Sequence, residues 1–228
     1  MRPNPSFKRT HSGKPLNSNV RPQKMPQDVP SPIDLRLAQD ALEWEQSAMQ
    51  KRPWRAEFFA RFASEVAEIS PKVERVLELG SGPGFLAERL LQSLGHVEVV
   101  LLDFSSAMHE LARARLGGLA NRATFVERSF KEEDWPVGLG AFGCVVTNQA
   151  VHELRHKRYA AQLHAQVRTL LNPGGVYLVC DHFAGEGGMK NESLYTSIAE
   201  QKNALQLAGF ASVRQVMAKG GLVLHHAA

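Results

Sequence analysis

Residues 76–84 read Val-Leu-Glu-Leu-Gly-Ser-Gly-Pro-Gly, and this stretch decides the fold. Its apolar start predicts a buried strand, and its three glycines predict a tight turn directly after that strand. The apolar spacing of residues 85–94 then predicts a helix that begins at the turn. Such a turn lets a ligand approach the backbone, and the free N–H groups of a helix N-terminus favour a pyrophosphate or a carboxylate. A tight turn that binds nothing would produce the same local pattern.

The residues after this stretch repeat the alternation of strand and helix. Short apolar runs predict strands at 74–79, 97–102, 123–127, 142–147 and 175–180. Amphipathic segments predict helices at 84–94, 106–116, 155–171 and 193–208. Continuously apolar strands that alternate with helices are typical of a parallel sheet covered on both faces. The last two runs, 211–217 and 221–226, flank a Gly-Gly pair and predict an antiparallel hairpin.

The first 30 residues differ in composition from the rest of the chain. They contain six Lys and Arg residues, one acid and six of the twelve prolines. Such a segment buries too little apolar surface to offset the entropy of ordering, so we expect a disordered basic tail over residues 1–30. Pro32 suits the first position of a helix, which predicts a helical cap over residues 31–70 and the main α/β domain over residues 71–228.

The net charge of +4 arises from that tail, because the other residues carry 21 basic and 22 acidic side chains. The body therefore shows no electrostatic footprint for phosphates, which disfavours a nucleic-acid partner. No apolar run approaches the roughly 20 residues that span a bilayer, and none is typical of a secretory signal. We expect a cytoplasmic protein without membrane contact.

Asp103 ends the second predicted strand, 19 residues after Gly84. An acid at this place can accept hydrogen bonds from both ribose hydroxyls of a nucleotide-like ligand. The alternative is that Asp103 caps the following helix, a task that Ser105 or Ser106 could share. The spacing from the glycine turn favours the ribose role, and both roles are compatible with each other.

In combination these segments resemble the class I, Rossmann-like family of S-adenosylmethionine-dependent methyltransferases. Residues 78–84 are similar to the first motif of the family, an acid followed by G-x-G-x-G, whereas nicotinamide enzymes usually show G-x-G-x-x-G. Residues 101–105 resemble the second motif, and residues 171–175 resemble the turn before the fifth strand. Residues 208–210 and the closing hairpin resemble the reversed seventh strand. The resemblance covers about residues 56–226 and implies a doubly wound, seven-stranded, mostly parallel sheet with a C-terminal antiparallel hairpin.

The resemblance also implies a cofactor, S-adenosyl-L-methionine, and a set of residues that bind it. These positions are Glu78, Gly80, Ser81, Gly82, Gly84, Asp103, Phe104, Ser129, Phe130 and Asn148. By the resemblance, Glu78 meets the amino group, Asp103 holds the ribose and Asn148 lies beside the methyl group. Phe104 packs against the adenine, although an ordinary core aromatic is an equal alternative.

Two positions depart from common patterns of the family. Many relatives carry an acid after the third strand that binds the adenine amino group, but this chain has Ser129 there, so the backbone at Ser129 and Phe130 would have to replace it. Residues 147–150, Thr-Asn-Gln-Ala, also lack the two prolines and the aromatic residue of enzymes that methylate amide or adenine nitrogens. That class of acceptor is therefore excluded.

His152 and Glu153 follow closely after Asn148, near the place that a methyl acceptor must occupy. A histidine can act there as a general base, and the alternative is a polar pair at the rim of the pocket. The sequence therefore names no catalytic residue. The acids and histidines of this region do not match the pattern of magnesium-dependent relatives, so we predict no metal site.

A glycine-rich loop at residues 185–190 and the helices at residues 33–52 are the predicted lid over the pocket. Trp44, Met49 and Trp54 would line that pocket or simply pack these helices together. The function that fits the whole pattern is methyl transfer to a small-molecule acceptor. The alternatives are an NAD(P)-dependent oxidoreductase on a Rossmann sheet and a module that binds S-adenosylmethionine without turnover.

Overall fold

The computed structural model describes residues 27–69 and 72–228, and seven strands of this part form one sheet. The strands are β1 (Arg75–Leu79), β2 (Glu98–Asp103), β3 (Ala123–Glu127), β4 (Phe142–Asn148), β5 (Leu171–His182), β6 (Val213–Lys219) and β7 (Leu222–Ala227). Their order is β3-β2-β1-β4-β5-β7-β6, with β1 to β5 parallel and β7 antiparallel to both of its neighbours. The predicted α/β fold is confirmed, including its antiparallel hairpin.

The described residues form six α-helices, and five of them cover the sheet. They are α1 (Ala38–Lys51), α2 (Arg55–Glu68), α3 (Phe85–Ser93), α4 (Ser106–Leu116), α5 (Ala160–Thr169) and α6 (Ile198–Leu207). Helices α2, α3 and α4 pack on one face of the sheet, and α5 and α6 pack on the other. Helix α1 lies outside this arrangement and packs on α4. The sheet is thus buried between two layers of helices, as continuously apolar strands require.

Successive residues of a strand supply the two faces in turn. In β1, Val76 belongs to the apolar cluster under α2 and α3, whereas Leu77 and Leu79 belong to the cluster under α5. Glu78 lies between these two leucines and is as buried as they are. A buried carboxyl group in a central strand is costly unless it is hydrogen-bonded or paired, so Glu78 indicates a site for a partner.

The connections diverge at the carboxyl ends of β1 and β4. From β1 the chain proceeds outward through β2 to β3, and it then returns to β4 on the other side of β1. Loops that leave neighbouring strands in opposite directions open a crevice between them, which is the usual ligand site of such sheets. This crevice lies directly above the glycine turn.

Three predicted helix starts are wrong. Helix α6 begins at Ile198 rather than near residue 193, because Ser197 caps it and its Oγ accepts from the Glu200 amide. Helix α1 begins at Ala38 rather than near Pro32, because the Asp34 carboxylate accepts hydrogen bonds from the backbone and the side chain of Arg36 and closes a turn there. Helix α5 begins at Ala160 rather than near residue 155. Arg155 has a φ of +67°, which interrupts the helical path after the 3₁₀ turn at Val151–Leu154.

Residues 28–37, which we call the N-terminal strap, cross the open end of the sheet in a mostly non-helical path. The Val29 amide donates to the Arg155 carbonyl at 2.8 Å, and the Arg155 guanidinium donates to the carbonyls of Val29 and Pro30. Ser105 Oγ donates to the Leu35 carbonyl at 2.6 Å. The predicted tail boundary at residue 30 therefore falls inside this strap, and residues 1–26 of the predicted tail lie outside the described residues.

Among residues 27–69 and 72–228, no helix is long and apolar enough to cross a membrane.

Candidate functional site

An open cavity of about 1020 Å³ lies over the carboxyl ends of β1, β2 and β4. Leu35 of the strap, Trp44 of α1 and Arg55 of α2 cover it from above. Eight of the ten predicted cofactor-binding residues line it, namely Glu78, Gly80, Ser81, Gly82, Asp103, Phe104, Phe130 and Asn148. The sheet topology thus brings together predicted residues from four separate segments of the chain.

The glycine turn reaches its shape through positive φ angles. Gly80, Gly82 and Gly84 have φ values of +64°, +52° and +79°, in the region that favours glycine. A Cβ atom on Gly80 would lie 2.4 Å from the Cβ of Ala150, so any larger residue would collide with the segment after β4. Gly84 does not line the cavity. It begins α3 and lies against Ala112, where its missing side chain allows α3 and α4 to approach closely.

Asp103 connects the glycine turn to the end of β2. Its Oδ2 accepts from the Gly82 amide at 2.8 Å, and its Oδ1 accepts from the Ser105 amide at 3.0 Å. Burial raises the pKa of Asp103 to about 6, although these backbone amides favour its charged form. Ser105 is the residue that caps α4, since its Oγ accepts from the Met108 amide. Asp103 is therefore free of the capping role and faces the cavity.

Three polar oxygen atoms on the cavity wall have no hydrogen-bond partner in the described part of the chain. They are Oε2 of Glu78, Oγ of Ser81 and Oδ1 of Asn148, and all three are buried. Burial and the nearby Asp103 carboxylate raise the pKa of Glu78 well above its ordinary value. An unpaired buried polar atom costs about 1–3 kcal/mol, so these atoms mark a place for a polar ligand.

Phe104 and Phe130 line this cavity and also the neighbouring groove under the strap, whereas Ser129 lines only the groove. Phe104 is 39% exposed at the mouth of the cavity, which excludes the alternative of an ordinary core aromatic. Phe130 is buried and lines the same cavity. Ser129 lies outside it, in a groove under the strap, where its Oγ accepts from the Lys131 amide. The wall beside the predicted adenine position therefore contains the ring of Phe130 and not the hydroxyl of Ser129.

Arg55, which the sequence reasoning missed, lines the opposite side of the cavity. Its side chain is buried, donates to the Ala48 carbonyl at 2.8 Å and to Gln149 Oε1 at 2.5 Å, and lies 5.3 Å from the ring of Trp44. No carboxylate pairs with it among the described residues. Burial, together with the positive charge of Arg52, lowers its pKa to about 10. A buried guanidinium without a counter-ion indicates a place for an anionic ligand group.

The sequence contains a signal for Arg55. Positions 55, 58, 59 and 62 share one helical face, and the last three are phenylalanines. An arginine on the apolar face of a helix is buried together with its charge. A buried charge needs an ion-pair partner or a bound ligand, so this pattern predicts one of the two.

His152 lies between two carboxylates. Its Nδ1 is 2.6 Å from Asp181 Oδ1, and its Nε2 is 3.3 Å from Glu153 Oε1. Burial by itself lowers the pKa of His152, but the two carboxylates outweigh burial and raise the pKa to about 9. The ring is therefore an imidazolium at neutral pH, with its Nδ1 donating to Asp181 and its Nε2 paired with Glu153.

His182 and Gln149 connect the ring of His152 to Arg55. The Gln149 amide nitrogen donates to His182 Nε2 at 2.9 Å, while its oxygen accepts from Arg55. Burial lowers the pKa of His182 to about 4, so its ring is neutral and able to accept. Gln149 adopts a φ of +57°, a conformation that is uncommon for a residue other than glycine. The strained residue is thus held by polar contacts on both sides.

The predicted lid has only one of its two parts at the cavity. Helix α1 contributes Trp44, but the loop at residues 185–190 does not line the cavity, because the Met189 amide bonds back to the Phe183 carbonyl at 2.7 Å. Trp54 packs over Gly220, and Met49 packs on the apolar core. Within the described residues, no group of three or more His, Cys, Asp or Glu side chains could hold a metal ion.

The segment that contains the glycine turn and the central strands is similar to known methyltransferases. Residues 76–175 match the family model described as a methyltransferase domain. Over 124 residues the chain is 30% identical to malonyl-[acyl-carrier protein] O-methyltransferase of Legionella pneumophila. The matched part is 54% of this chain and 41% of that relative, so the chain spans well under two thirds of the curated protein it matches.

Solved structures share the fold at low sequence identity. An O-methyltransferase family protein from Burkholderia thailandensis has a TM-score of 0.64 at 16% identity and covers 85% of this chain and 63% of its own. The glycopeptide N-methyltransferase MtfA in complex with S-adenosyl-L-methionine has a TM-score of 0.59 at 20% identity, with 74% and 91% covered. These likenesses establish the fold of the chain.

Proposed function

We propose that this chain transfers a methyl group from S-adenosyl-L-methionine to a small-molecule acceptor, since residues 76–175 match the family model of a methyltransferase domain. The observation that carries the proposal is the set of unpaired oxygen atoms of Glu78, Ser81 and Asn148 on one cavity wall. They stand where the predicted motif residues converge. A cofactor with an amino group and hydroxyl groups supplies the donors that these acceptors lack.

The amino-acid part of the cofactor fits two opposite charges across the cavity. Glu78 is a buried acid that would accept from an ammonium group, and Arg55 is a buried cation that would donate to a carboxylate. A zwitterion placed between them compensates both groups at once. Arg55 is therefore added to the proposed cofactor-binding residues.

The remaining residues divide according to the shape of the cofactor. Asp103 would hold the ribose, and Phe104 and Phe130 would contact the adenine. Ser129, which lies in the neighbouring groove, and Gly84, which begins α3, support the site without lining it. The proposal assigns residues 71–228 to cofactor binding and the helices before them to a cap that helps close the cavity.

When bound, the cofactor supplies a methyl group activated by a positively charged sulfur. The chain then has to align an acceptor atom with that group and keep water away. Asn148 and Gln149 lie between the glycine turn and the His152 side of the cavity, which is where an acceptor would approach. The small-molecule acceptor and the cytoplasmic location remain proposals that rest on the charge and composition of the body.

The two alternatives fit the cavity less well. A nicotinamide cofactor would place its pyrophosphate near Glu78, where a buried acid disfavours anions. A module that only binds the cofactor would not need the additional lining at His152, His182 and Tyr195.

Calorimetric titration of the full chain with S-adenosylhomocysteine and, separately, with NADH tests the proposal. We expect micromolar binding of S-adenosylhomocysteine alone, lost in Asp103→Ala. The matched control is Asp134→Ala, which removes an exposed acid far from the lining of the cavity. A heat of binding with NADH, or no heat of binding with S-adenosylhomocysteine in a folded sample, would refute the proposal.

A further inference from the structure

The side of the cavity away from the glycine turn, which we call the acceptor end, is lined by Arg52, His152, His182 and Tyr195. The three rings contact one another, with centroids 5.3 to 5.6 Å apart. They also border a second pocket of about 470 Å³ that lies under α5 and α6. An acceptor that enters this end of the cavity would contact this ring cluster or Arg52.

The charges at the other end of the cavity are balanced once the cofactor is bound. Glu78 and Asp103 carry the negative charges there, and Arg55 carries the positive one. The proposed cofactor adds an ammonium group, a carboxylate and a sulfonium. Opposite charges then face each other in equal number, so nothing at this end requires a charged acceptor.

The charges around His152 are also paired, and this pairing removes His152 as a proton acceptor. The imidazolium donates through Nδ1 to Asp181 of β5, and its Nε2 forms an ion pair with Glu153. Arg155 pairs in turn with Glu153 at 3.2 Å. A general base needs a free lone pair, and the imidazolium of His152 has none. His152 therefore cannot take a proton from an acceptor, and the neutral His182, whose pKa is lowered to about 4, is a weak base. An acceptor whose oxygen or nitrogen is already unprotonated fits this end best.

Among the described residues, Arg52 carries the one charge at the acceptor end that these pairings do not include. It is half-buried between α1 and α2, lines the cavity and forms no ion pair in the part of the chain that the structure describes. Burial is the main cause of the lowered pKa of Arg55 and of His182, and the positive charge of Arg52 adds to both effects. Burial raises the pKa of Tyr195, and the charge of Arg52 partly opposes that rise. Its guanidinium therefore faces the acceptor end, where a carboxylate can accept its paired N–H donors.

We propose, on the basis of the methyltransferase function above, that the acceptor is a small carboxylic acid whose carboxylate binds to Arg52 and becomes a methyl ester. One carboxylate oxygen accepts from Arg52. The second carboxylate oxygen forms a bond to the methyl carbon while the bond between that carbon and sulfur breaks. The electron pair of the broken bond stays on sulfur. No proton is released, so the reaction needs no base, in agreement with the paired state of His152.

Two measurements on the full chain test this assignment. The first is calorimetry of the chain saturated with S-adenosylhomocysteine, titrated with acetate, hexanoate, succinate, benzoate and phenylacetate and with the primary amide of each. The second is transfer from S-adenosylmethionine with a labelled methyl group to the same compounds, followed by mild alkali. Methyl esters release labelled methanol under these conditions, whereas ethers and methylamines do not.

We expect binding and alkali-labile label with at least one acid and with none of the amides. Arg52→Gln should lower kcat/KM for that acid about 10- to 100-fold, mainly through KM, because a hydrogen-bonded charge pair is lost. It should leave the affinity for S-adenosylhomocysteine unchanged. Lys51→Gln is the matched control, since it removes the same charge from the adjacent, exposed position.

Alkali-stable label, or equal use of acid and amide, would overturn the proposal. So would the absence of label in every acid while S-adenosylhomocysteine binds with micromolar affinity. Loss of S-adenosylhomocysteine binding in the unmodified chain is a different result, because it refutes the methyltransferase function on which the proposal depends.

Discussion

Two residues of opposite charge, Glu78 and Arg55, define how the cavity can bind an amino-acid group. Glu78 belongs to a motif that is visible in the sequence, and Arg55 belongs to none. Burial disfavours the charged form of both, which raises the pKa of Glu78 and lowers that of Arg55 to about 10. A ligand with the complementary charges would reverse both effects.

Arg55→Gln should weaken the binding of S-adenosylhomocysteine about 10- to 100-fold, because the carboxylate loses a charged donor. The binding of 5′-methylthioadenosine, which has no amino-acid group, should stay unchanged and shows that the variant is folded. Calorimetric titration of both ligands measures the difference. Arg89→Gln, on the exposed side of α3, is the control. Equal losses for both ligands would contradict the assigned role.

At the scale of elements, the sequence predicts the strands well because their apolar runs are continuous. All seven predicted strands are present, and most bounds differ by one or two residues. The β5 bounds differ more, since the strand begins at Leu171 and continues to His182. Predicted helix starts failed where a local polar contact or a positive φ decides the backbone, as at Asp34 and Arg155. Such contacts carry no periodic signal.

The N-terminal strap could not be predicted from the sequence for a related reason. Its residues have little apolar spacing, and partners more than 100 positions away hold it, as with Arg155 and Val29. The same holds for the candidate site. Motif spacing identifies Glu78 and Asp103, whereas the contact between Arg55 and Gln149 depends on how α2 meets the end of β4.

Arg155→Gln should loosen the strap, since it removes donors to the carbonyls of Val29 and Pro30. We expect a local loss of about 1–3 kcal/mol, seen as faster hydrogen exchange of a peptide from the strap. Lys157→Gln, which breaks only an exposed ion pair with Glu200, is the control. Unchanged exchange in Arg155→Gln would show that the strap does not depend on this side chain.

For the whole molecule, four buried neutral histidines in the described part of the chain lower the stability in acid. They outnumber Glu78 and Asp103, two buried acids whose raised pKa acts in the opposite direction. His109, His164, His182 and His225 are all buried, and burial lowers the pKa of each to about 4. In the unfolded chain each would titrate near pH 6.5. Between these values the unfolded state binds more protons than the folded state, so stability falls as the pH decreases from about 6.5 to 4.

His152 does not offset this loss. Its pKa is raised to about 9 in the folded chain, so its contribution is fully present below pH 6.5 and is lost only as the pH rises toward 9. Urea unfolding between pH 4 and pH 8 should show the acid loss. His164→Phe should reduce its slope, whereas His96→Gln, at an exposed position, should not. Constant stability from pH 7 down to pH 4.5 would contradict the burial of these rings as neutral groups.

The central claim is that the cavity above the glycine turn holds S-adenosylmethionine in one defined orientation. A crystal structure of the full chain with S-adenosylhomocysteine tests it most directly. We expect the ribose hydroxyls on Asp103, the amino group beside Glu78 and the carboxylate on Arg55. Density for the ligand outside this cavity, or with the adenine at Arg55 and the amino acid between Phe104 and Phe130, would contradict the account.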